Sequence, residues 1–406
     1  MTLSEELTWR GFINQTTFKD LKDLDKTEIA FYHGFDASSD SQTIGNLAAM
    51  MIDLVFIRHG HKAYILAGGA TSLVGDPGGK DGERDLQAEE IITHNVACAE
   101  SQLKKIYGDR PFTMVNNLDW TKNLSLIDFL RTVGKNFGIG DLIKKDFIAS
   151  RLGEGASGIS YAEFSYTLLQ GMDFLHLFDN YGVTLQIGGS DQWGNCISGL
   201  ELIRRMRGAE THVLTHPLVI DKTTGKKFGK SEDGAVWLDP NKTSPFKFYQ
   251  FWLNVDDEGV GDYIKIYTEI QPEEFDELIL KFNQNRAERA AQKYLAYEVT
   301  KLVHGEDVAE SMKRISEVLF SGRAAEELTD QDFESLSLEL PSSEAEDILE
   351  FLVETEIAKS KGEARRLVEQ NAISINGQKI TDSDAKLKAP SLVKKGKNVF
   401  GVYHPK

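Results

Sequence analysis

Three polar side chains on one face of a predicted helix could bind a small polar molecule. Tyr166, Gln170 and Asp173 stand four and three residues apart in the first half of residues 161–195, so they point from the same side of the helix. Their neighbours are mostly apolar, and buried polar groups are costly unless something satisfies them. The pattern favours one wall of a ligand pocket, although each residue taken alone could be solvated.

A short buried strand over residues 183–187 follows this helix and ends in Gly188-Gly189-Ser190-Asp191. Ligands of open α/β sheets bind beyond the carboxyl ends of strands, and a glycine pair there lets a ligand approach the backbone closely. The strand therefore predicts the floor of the same pocket, with an ordinary turn as the simpler alternative.

The loop 225–231, GKKFGKS, is the most specific short motif in the chain. Lys226, Lys227 and Lys230 lie around a glycine, which makes the loop both mobile and cationic. Such lysines could stabilise the charge that develops on a triphosphate in a transition state. An exposed basic turn is the alternative, but the position after the last predicted strand favours phosphate binding.

Strands and helices alternate in the first half of the chain. Strands are predicted at 28–35, 62–69 and 112–116, with helices after residue 46 and over 86–107. This alternation predicts a Rossmann-like, doubly wound parallel sheet in an α/β protein. The first strand leads through a glycine-containing loop into a helix N-terminus, which is a favourable place for phosphate. Residues 120–150 predict an apolar helical insertion that either forms a dimer surface or is buried within one subunit.

Four domains are predicted along the chain. They are a catalytic domain over 1–220, the lysine loop with an α-helical domain over 221–325, an acidic linker over 326–342, and a small α+β module over 343–406. In the last module a helix is predicted over 348–370, and Asn376-Gly377 is a strong hairpin signal.

Charge is unevenly distributed over the 406 residues. The net charge is −17, yet residues 357–406 hold 11 Lys and Arg against 4 Asp and Glu. A basic tail on an acidic body predicts a polyanion-binding module, with a solubilising tail as the alternative. Cys98 and Cys196 form no disulfide or metal motif, and no apolar run could span a bilayer, so the sequence predicts a cytoplasmic protein without a membrane partner.

Six segments resemble the bacterial-type tyrosyl-tRNA synthetases, which are class I aminoacyl-tRNA synthetases. They are YHGFDASSDSQTIGN, GGATSLVGDPGGK, SYTLLQGMDF, LQIGGSDQWGN, KKFGKS and ARRLVEQNAISINGQKI. The resemblance implies a Rossmann catalytic domain, an α-helical anticodon-recognition domain and an S4-like RNA-binding domain, in a homodimer. It implies tyrosine–tRNA ligase activity on L-tyrosine, ATP with Mg²⁺ and tRNA(Tyr), without a tightly bound cofactor or a metal fixed by the protein.

The resemblance also implies residue roles. Tyr32 and Asp173 would bond the tyrosine hydroxyl, and the tyrosine ammonium would be held by Asp76, Tyr166 and Gln170. Arg365 and Arg366 would contact tRNA. The residues implied to bind ATP or to act in catalysis are Gly34, Asp36, Ser38, Thr43, Gly45, Asn46, Lys80, Arg84, Gly189, Asp191, Gln192, Lys227, Lys230 and Ser231.

One departure from the family pattern leaves alternatives open. The HIGH signature of class I synthetases appears as Thr43-Ile44-Gly45-Asn46. An asparagine amide can still donate to phosphate or ribose oxygens, but a threonine hydroxyl is shorter than imidazole and carries no charge. His33 either compensates or is a satisfied histidine near the nucleotide.

Three functions therefore stand beside one another: an active tyrosine–tRNA ligase, a non-catalytic RNA-binding protein derived from a synthetase, and a similar enzyme for another aromatic substrate such as tryptophan. The persistence of the substrate and lysine residues favours activity. The pair of Tyr32 and Asp173 favours tyrosine, because indole cannot accept a hydrogen bond.

Overall fold

A computed structural model describes residues 1–75, 88–143, 146–152, 158–225, 228–231, 234–320, 324–396 and 399–405. The chain forms two compact units. One comprises Met1–Lys242 with Val255–Ala291, and the other Thr243–Asn254 with Gln292–Lys406. No helix within the described ranges is long and apolar enough to cross a membrane. The division into four domains stays a prediction.

The strands form separate sheets in the two units. Their bounds are β1 Gln15–Thr16, β2 Ala30–Phe35, β3 Lys62–Ala67, β4 Thr113–Asn116, β5 Leu185–Gly189, β6 His212–His216, β7 Lys230–Ser231, β8 Gly234–Ala235, β9 Ser342–Ser343, β10 Ile373–Ile375, β11 Gln378–Lys379, β12 Ser391–Lys395 and β13 Val399–Tyr403. The first unit holds a six-stranded sheet in the order β1-β6-β5-β2-β3-β4. All its pairs are parallel except β1 with β6, which confirms the predicted sheet.

The described helices alternate with these strands and continue beyond them. Their bounds are α1 Leu3–Arg10, α2 Ile44–Arg58, α3 Gly69–Val74, α4 Glu89–Tyr107, α5 Leu118–Thr121, α6 Leu126–Thr132, α7 Ile139–Leu142, α8 Asp146–Leu152, α9 Tyr161–Tyr181, α10 Trp193–Arg207, α11 Pro245–Leu253, α12 Val260–Tyr267, α13 Pro272–Gln284, α14 Ala290–His304, α15 Glu306–Phe320, α16 Asp330–Ser337, α17 Ile348–Glu354 and α18 Lys361–Glu369.

The helix that carries the polar face has clear boundary signals. Ser160 and Glu163 form a capping box at the start of α9, and Gly182 ends the helix with a φ of 67°. Its apolar residues, among them Leu168, Met172 and Phe174, join the core of the first unit. This packing fixes the rotation of the helix and therefore the direction of its polar face.

The predicted insertion over 120–150 is a series of short helices rather than one long helix. Gly134 and Gly138 lie between α6 and α7, where they favour an interruption because glycine is unfavourable inside helices. Phe129 packs against the core, whereas Leu126 and Ile127 are 68% and 61% exposed. Short α3 lies between the strand predicted over 62–69 and the helix predicted over 86–107.

The second unit contains a five-stranded sheet in the order β11-β10-β12-β13-β9. Asn376 and Gly377 have φ values of 49° and 82°, which confirms the predicted hairpin. One prediction was wrong here. The helix predicted over 348–370 is two helices, α17 and α18, because Glu356 takes a φ of 57°. The predicted linker over 326–342 contains α16, which begins with a capping box of Thr329 and Asp332.

Candidate functional site

A cavity of about 310 Å³ lies at the carboxyl ends of β2 and β5, between α2 and α9. It collects many of the residues that the sequence selected. These are Tyr32, Gly34, Asp36, Thr43, Gly45, Asn46, Tyr166, Gln170, Asp173, Gly189, Asp191 and Gln192. The polar face of α9 and the carboxyl end of β5 therefore line the same cavity.

Other predicted residues are not placed at this cavity. Ser38 does not appear among its lining residues. Asp76, Lys80, Arg84 and Lys227 lie outside the described residues, and for Lys230 and Ser231 only the backbone is described. Arg365 and Arg366 are exposed on α18 in the second unit.

A buried carboxylate forms one end of the cavity. Asp173 is 2% exposed, and its two oxygens accept hydrogen bonds of 2.9 Å from Asn117 Nδ2 and Trp120 Nε1. Burial raises the pKa of Asp173 to about 7, although both donors act in the opposite direction. The sequence analysis missed Asn117 and Trp120. Their position just after β4, at the carboxyl edge of the sheet, is the signal that could have found them.

A buried phenol faces the same space. Tyr32 is 1% exposed, and its hydroxyl has no hydrogen-bond partner among the described residues. Burial, helped by Cys196 and Asp173, raises the pKa of Tyr32 well above its usual range, so the hydroxyl stays protonated. A buried donor without a partner costs free energy unless a ligand or water satisfies it.

The polar face of α9 continues from Asp173 along the cavity. The Tyr166 hydroxyl donates to Asp36 Oδ1 over 3.2 Å, and Gln170 Nε2 lies 3.8 Å from the Cys196 sulfur. A carboxylate, a phenol and an amide oxygen can together accept the hydrogen bonds of an ammonium group.

The N-terminus of α2 lines the opposite end. Both the backbone N–H and the hydroxyl of Thr43 donate to Asn46 Oδ1, over 3.0 and 2.8 Å. The backbone donor fixes the orientation of the amide, so the NH₂ group of Asn46 is what this side chain offers to other groups. Thr43 thus orients the Asn46 side chain, and its own contact with ATP stays a prediction. A helix N-terminus with such a donor favours an anion.

The floor beside β5 is fixed by close contacts. A Cβ on Gly189 would lie 2.6 Å from Asp191 Oδ1, so a larger residue would displace this carboxylate. Gln192 Oε1 accepts a bond of 3.1 Å from Asn195, whose own oxygen accepts from Thr167 on α9. The close approach of a ligand to the glycine pair stays a prediction.

His33 is a satisfied histidine that also lines the cavity. Its Nδ1 lies 3.0 Å from Asp53 Oδ1, and Asp53 Oδ2 accepts a bond of 2.8 Å from the Tyr107 hydroxyl. Asp53 belongs to α2, so His33 points to the opposite side of β2 from Tyr32, as strand alternation predicts.

Comparisons with known proteins found similar chains. A family model described as tRNA synthetases class I (W and Y) matches residues 24–321, and a model of the tyrosine–tRNA ligase SYY-like C-terminal domain matches residues 327–399. Tyrosine–tRNA ligase 2 of Bacillus cereus is 47% identical over 393 residues, which cover 94% of this chain and 93% of the relative. The tyrosine–tRNA ligase of Limosilactobacillus reuteri is 44% identical over 98% of this chain and 99% of the relative.

A solved structure is similar as well. The C-terminally truncated mitochondrial tyrosyl-tRNA synthetase of Aspergillus nidulans superposes with a TM-score of 0.70 at 29% identity. The match covers 79% of this chain and 94% of that structure.

Proposed function

We propose how the cavity works in this chain, which belongs to the class I tRNA synthetases of the tryptophan and tyrosine type. The chain is a tyrosine–tRNA ligase, an aminoacyl-tRNA synthetase that uses ATP. Its cavity binds L-tyrosine with the phenol between Tyr32 and Asp173 and the ammonium group beside Tyr166 and Gln170.

The unpaired hydroxyl of Tyr32 beside the buried Asp173 is the observation that carries this proposal. A substrate phenol can accept from the first group and donate to the second, so it satisfies both. Phenylalanine would leave the Tyr32 hydroxyl unpaired, at a cost of about 1–3 kcal/mol, and would offer no donor to Asp173 beyond Asn117 and Trp120. The indole of tryptophan can donate to the acid but cannot accept from Tyr32.

Adenylation follows from placing the two substrates side by side. The tyrosine carboxylate attacks the α-phosphate of ATP, supplied with Mg²⁺, in line with the departing pyrophosphate. Asn46, the backbone N–H groups at the start of α2, and the floor at Gly189 and Asp191 hold the nucleotide. The 3′-terminal ribose hydroxyl of tRNA(Tyr) then attacks the carbonyl carbon of tyrosyl-adenylate, the acyl–phosphate bond breaks, and AMP leaves. Positioning and charge stabilisation supply the rate, and no side-chain nucleophile is needed.

The cationic residues act on the phosphates. Lys227 and Lys230 hold ATP as the transition state forms, and Lys80 and Arg84 assist the departing pyrophosphate. Asp76 joins the ammonium site, while Ser38 and Ser231 complete the ATP site. These roles rest on family membership and on the motifs that carry the residues.

Further proposals concern partners and location. The exposed apolar side chains of Leu126, Ile127 and Ile139 support a homodimer formed through the 120–150 segment, because such clusters mark interaction surfaces. Arg365 and Arg366 on the basic C-terminal module support a contact with tRNA. Two free cysteines support a reducing, cytoplasmic location.

Exchange of labelled pyrophosphate into ATP tests the function directly. We expect exchange with tyrosine and little with tryptophan or phenylalanine, and we expect Asp173→Asn to weaken it strongly. Folded protein that binds RNA but supports no exchange with any amino acid would establish the non-catalytic alternative. Exchange with tryptophan in preference to tyrosine would overturn the proposed role of the phenol pair.

Deletion of residues 343–406 tests the C-terminal module separately. Tyrosyl-adenylate formation should remain while tRNA charging weakens in a salt-dependent way, because the module contributes phosphate contacts. Equal loss of both activities would place the module in the catalytic machinery instead.

A further inference from the structure

One side chain of α4 binds the segment that precedes α2 and borders the nucleotide end of the cavity. Gln102 Oε1 accepts a bond of 2.9 Å from the backbone N–H of Gln42, and its Nε2 donates over 2.9 Å to Ser41 Oγ. Gln42 is 4% exposed and Ser41 3% exposed, so both bonds end on buried partners, while Gln102 is half-buried. These two residues directly precede Thr43, the N-cap of α2.

The same two residues hold the segment that follows the lysine loop. The hydroxyl of Ser41 accepts a bond of 3.2 Å from the backbone N–H of Asp239, and the carbonyl of Gln42 accepts one of 2.9 Å from Leu238. Farther along, Thr43 forms an antiparallel bridge with Trp237. Residues 41–44 and 236–239 are therefore paired along their length. Gln102 bonds to the first of these two segments.

The pairing reaches the described part of the lysine loop itself. The N–H of Ile44 donates over 3.1 Å to the carbonyl of Val236, whose own N–H donates over 3.0 Å to the carbonyl of Gly229. Gly229 has a φ of 92°, and a Cβ there would lie 2.7 Å from the Ile44 side chain. The backbone just before Lys230 is thus in direct contact with the start of α2.

We propose that Gln102 is a positioning residue for adenylate formation, an inference that rests on the proposed function. Gln102 does not line the cavity, so it touches neither substrate. It holds the N-terminus of α2, which offers Asn46 to the nucleotide, and the backbone that presents Lys230, in one fixed arrangement. Charge stabilisation depends on such preorganisation, and a displacement of about 1 Å can cost about 100-fold in rate.

The residues at the tyrosine end of the cavity provide a control for this proposal. Asp173 is held by Asn117 and Trp120, and none of these residues bonds to Gln102, Ser41 or Gln42. Loss of Gln102 should therefore impair the nucleotide step and leave tyrosine binding unchanged. A purely structural role would impair both together.

The test compares Gln102→Ala with Ser101→Ala, a neighbouring exposed position on the same helix. For Gln102→Ala we expect adenylate formation to slow by about tenfold or more, with the dissociation constant of tyrosine changing by less than about twofold. Hydrogen exchange at the amides of Gln42, Leu238 and Asp239 should become faster. Ser101→Ala should behave like the wild type.

Two milder variants keep the test decisive if Gln102→Ala does not fold. Gln102→Glu retains the acceptor for the Gln42 N–H and should give an intermediate rate. Ser41→Ala removes only the hydroxyl at the junction and should slow adenylation with the same selectivity. A wild-type rate in Gln102→Ala, or an equal loss of tyrosine affinity, would overturn the proposal. Absence of adenylation in the wild type would instead refute the proposed function.

Discussion

Tyrosine affinity should follow the ionisation of Asp173. Burial raises the pKa of this carboxyl to about 7. Asn117 and Trp120 already donate to its two oxygens, and in the proposed complex the substrate phenol is a third donor, so bound tyrosine would require the ionised form. With this pKa the ionised fraction is about one-tenth at pH 6 and about nine-tenths at pH 8. The dissociation constant of tyrosine should therefore fall about tenfold between these pH values.

The raised pKa of Asp173 also makes the stability of the fold depend on pH. The folded carboxyl binds its proton more tightly than the unfolded one, whose usual pKa is 3.8. The contribution of Asp173 to stability is therefore fully present below about pH 4 and is lost as the pH rises towards 7. Bound tyrosine opposes this loss, because it stabilises the ionised form.

Equilibrium dialysis with labelled tyrosine, without ATP, measures the effect at pH 6, 7 and 8. Asp173→Asn should bind weakly and show no dependence on pH over this range. His33→Gln and His216→Gln remove the imidazoles that line the cavity, and both variants should retain the slope. Constant affinity of the wild type between pH 6 and 8, or a slope that persists in Asp173→Asn, would refute the reasoning.

Three further predictions concern other contacts. Tyr32→Phe should weaken tyrosine binding by about fivefold, equivalent to about 1 kcal/mol. The melting temperature of the free enzyme should stay the same or rise, because the change removes an unpaired buried hydroxyl. A lower melting temperature measured by calorimetry would contradict this. Gly229→Ala should slow pyrophosphate exchange more than Gly225→Ala. Both glycines have a positive φ, but only an alanine at position 229 would bring its Cβ against Ile44. Equal effects of the two variants would exclude the clash with Ile44 as the cause. Arg10→Ala should lower the free energy of unfolding in urea by about 3–5 kcal/mol, because its buried guanidinium bonds to Glu6 and to three backbone carbonyls; a loss below about 1 kcal/mol would show that the network contributes little.

Local patterns predicted the parts of the site that depend on spacing. The four- and three-residue intervals from Tyr166 to Asp173 place these side chains on one helix face whatever surrounds the helix. The alternating strands and helices likewise predicted the parallel sheet of the first unit. In the second unit Asn376-Gly377 predicted the hairpin turn, because few other dipeptides accept two positive φ values.

The remainder depends on contacts between distant parts of the chain. Asn117 and Trp120 reach Asp173 only after β4 and α9 have packed together, and helical periodicity carries no information about that approach. The role of Thr43 was also hidden, since a comparison with the family signature suggests a missing catalytic group whereas the structure shows an orienting hydrogen bond. For α16 the signal was present: Thr329 and Asp332 have capping-box spacing, but the acidic composition concealed it.

The two donors that hold Asp173 set a condition for redesigning the substrate range. An enzyme for para-substituted phenylalanines would replace Tyr32 and Asp173 by smaller apolar residues to make room. That change would leave one N–H of the Asn117 amide, whose other N–H donates to Thr71, and the indole N–H of Trp120 facing a dry space without the carboxylate acceptor. A successful library must therefore vary positions 117 and 120 together with positions 32 and 173.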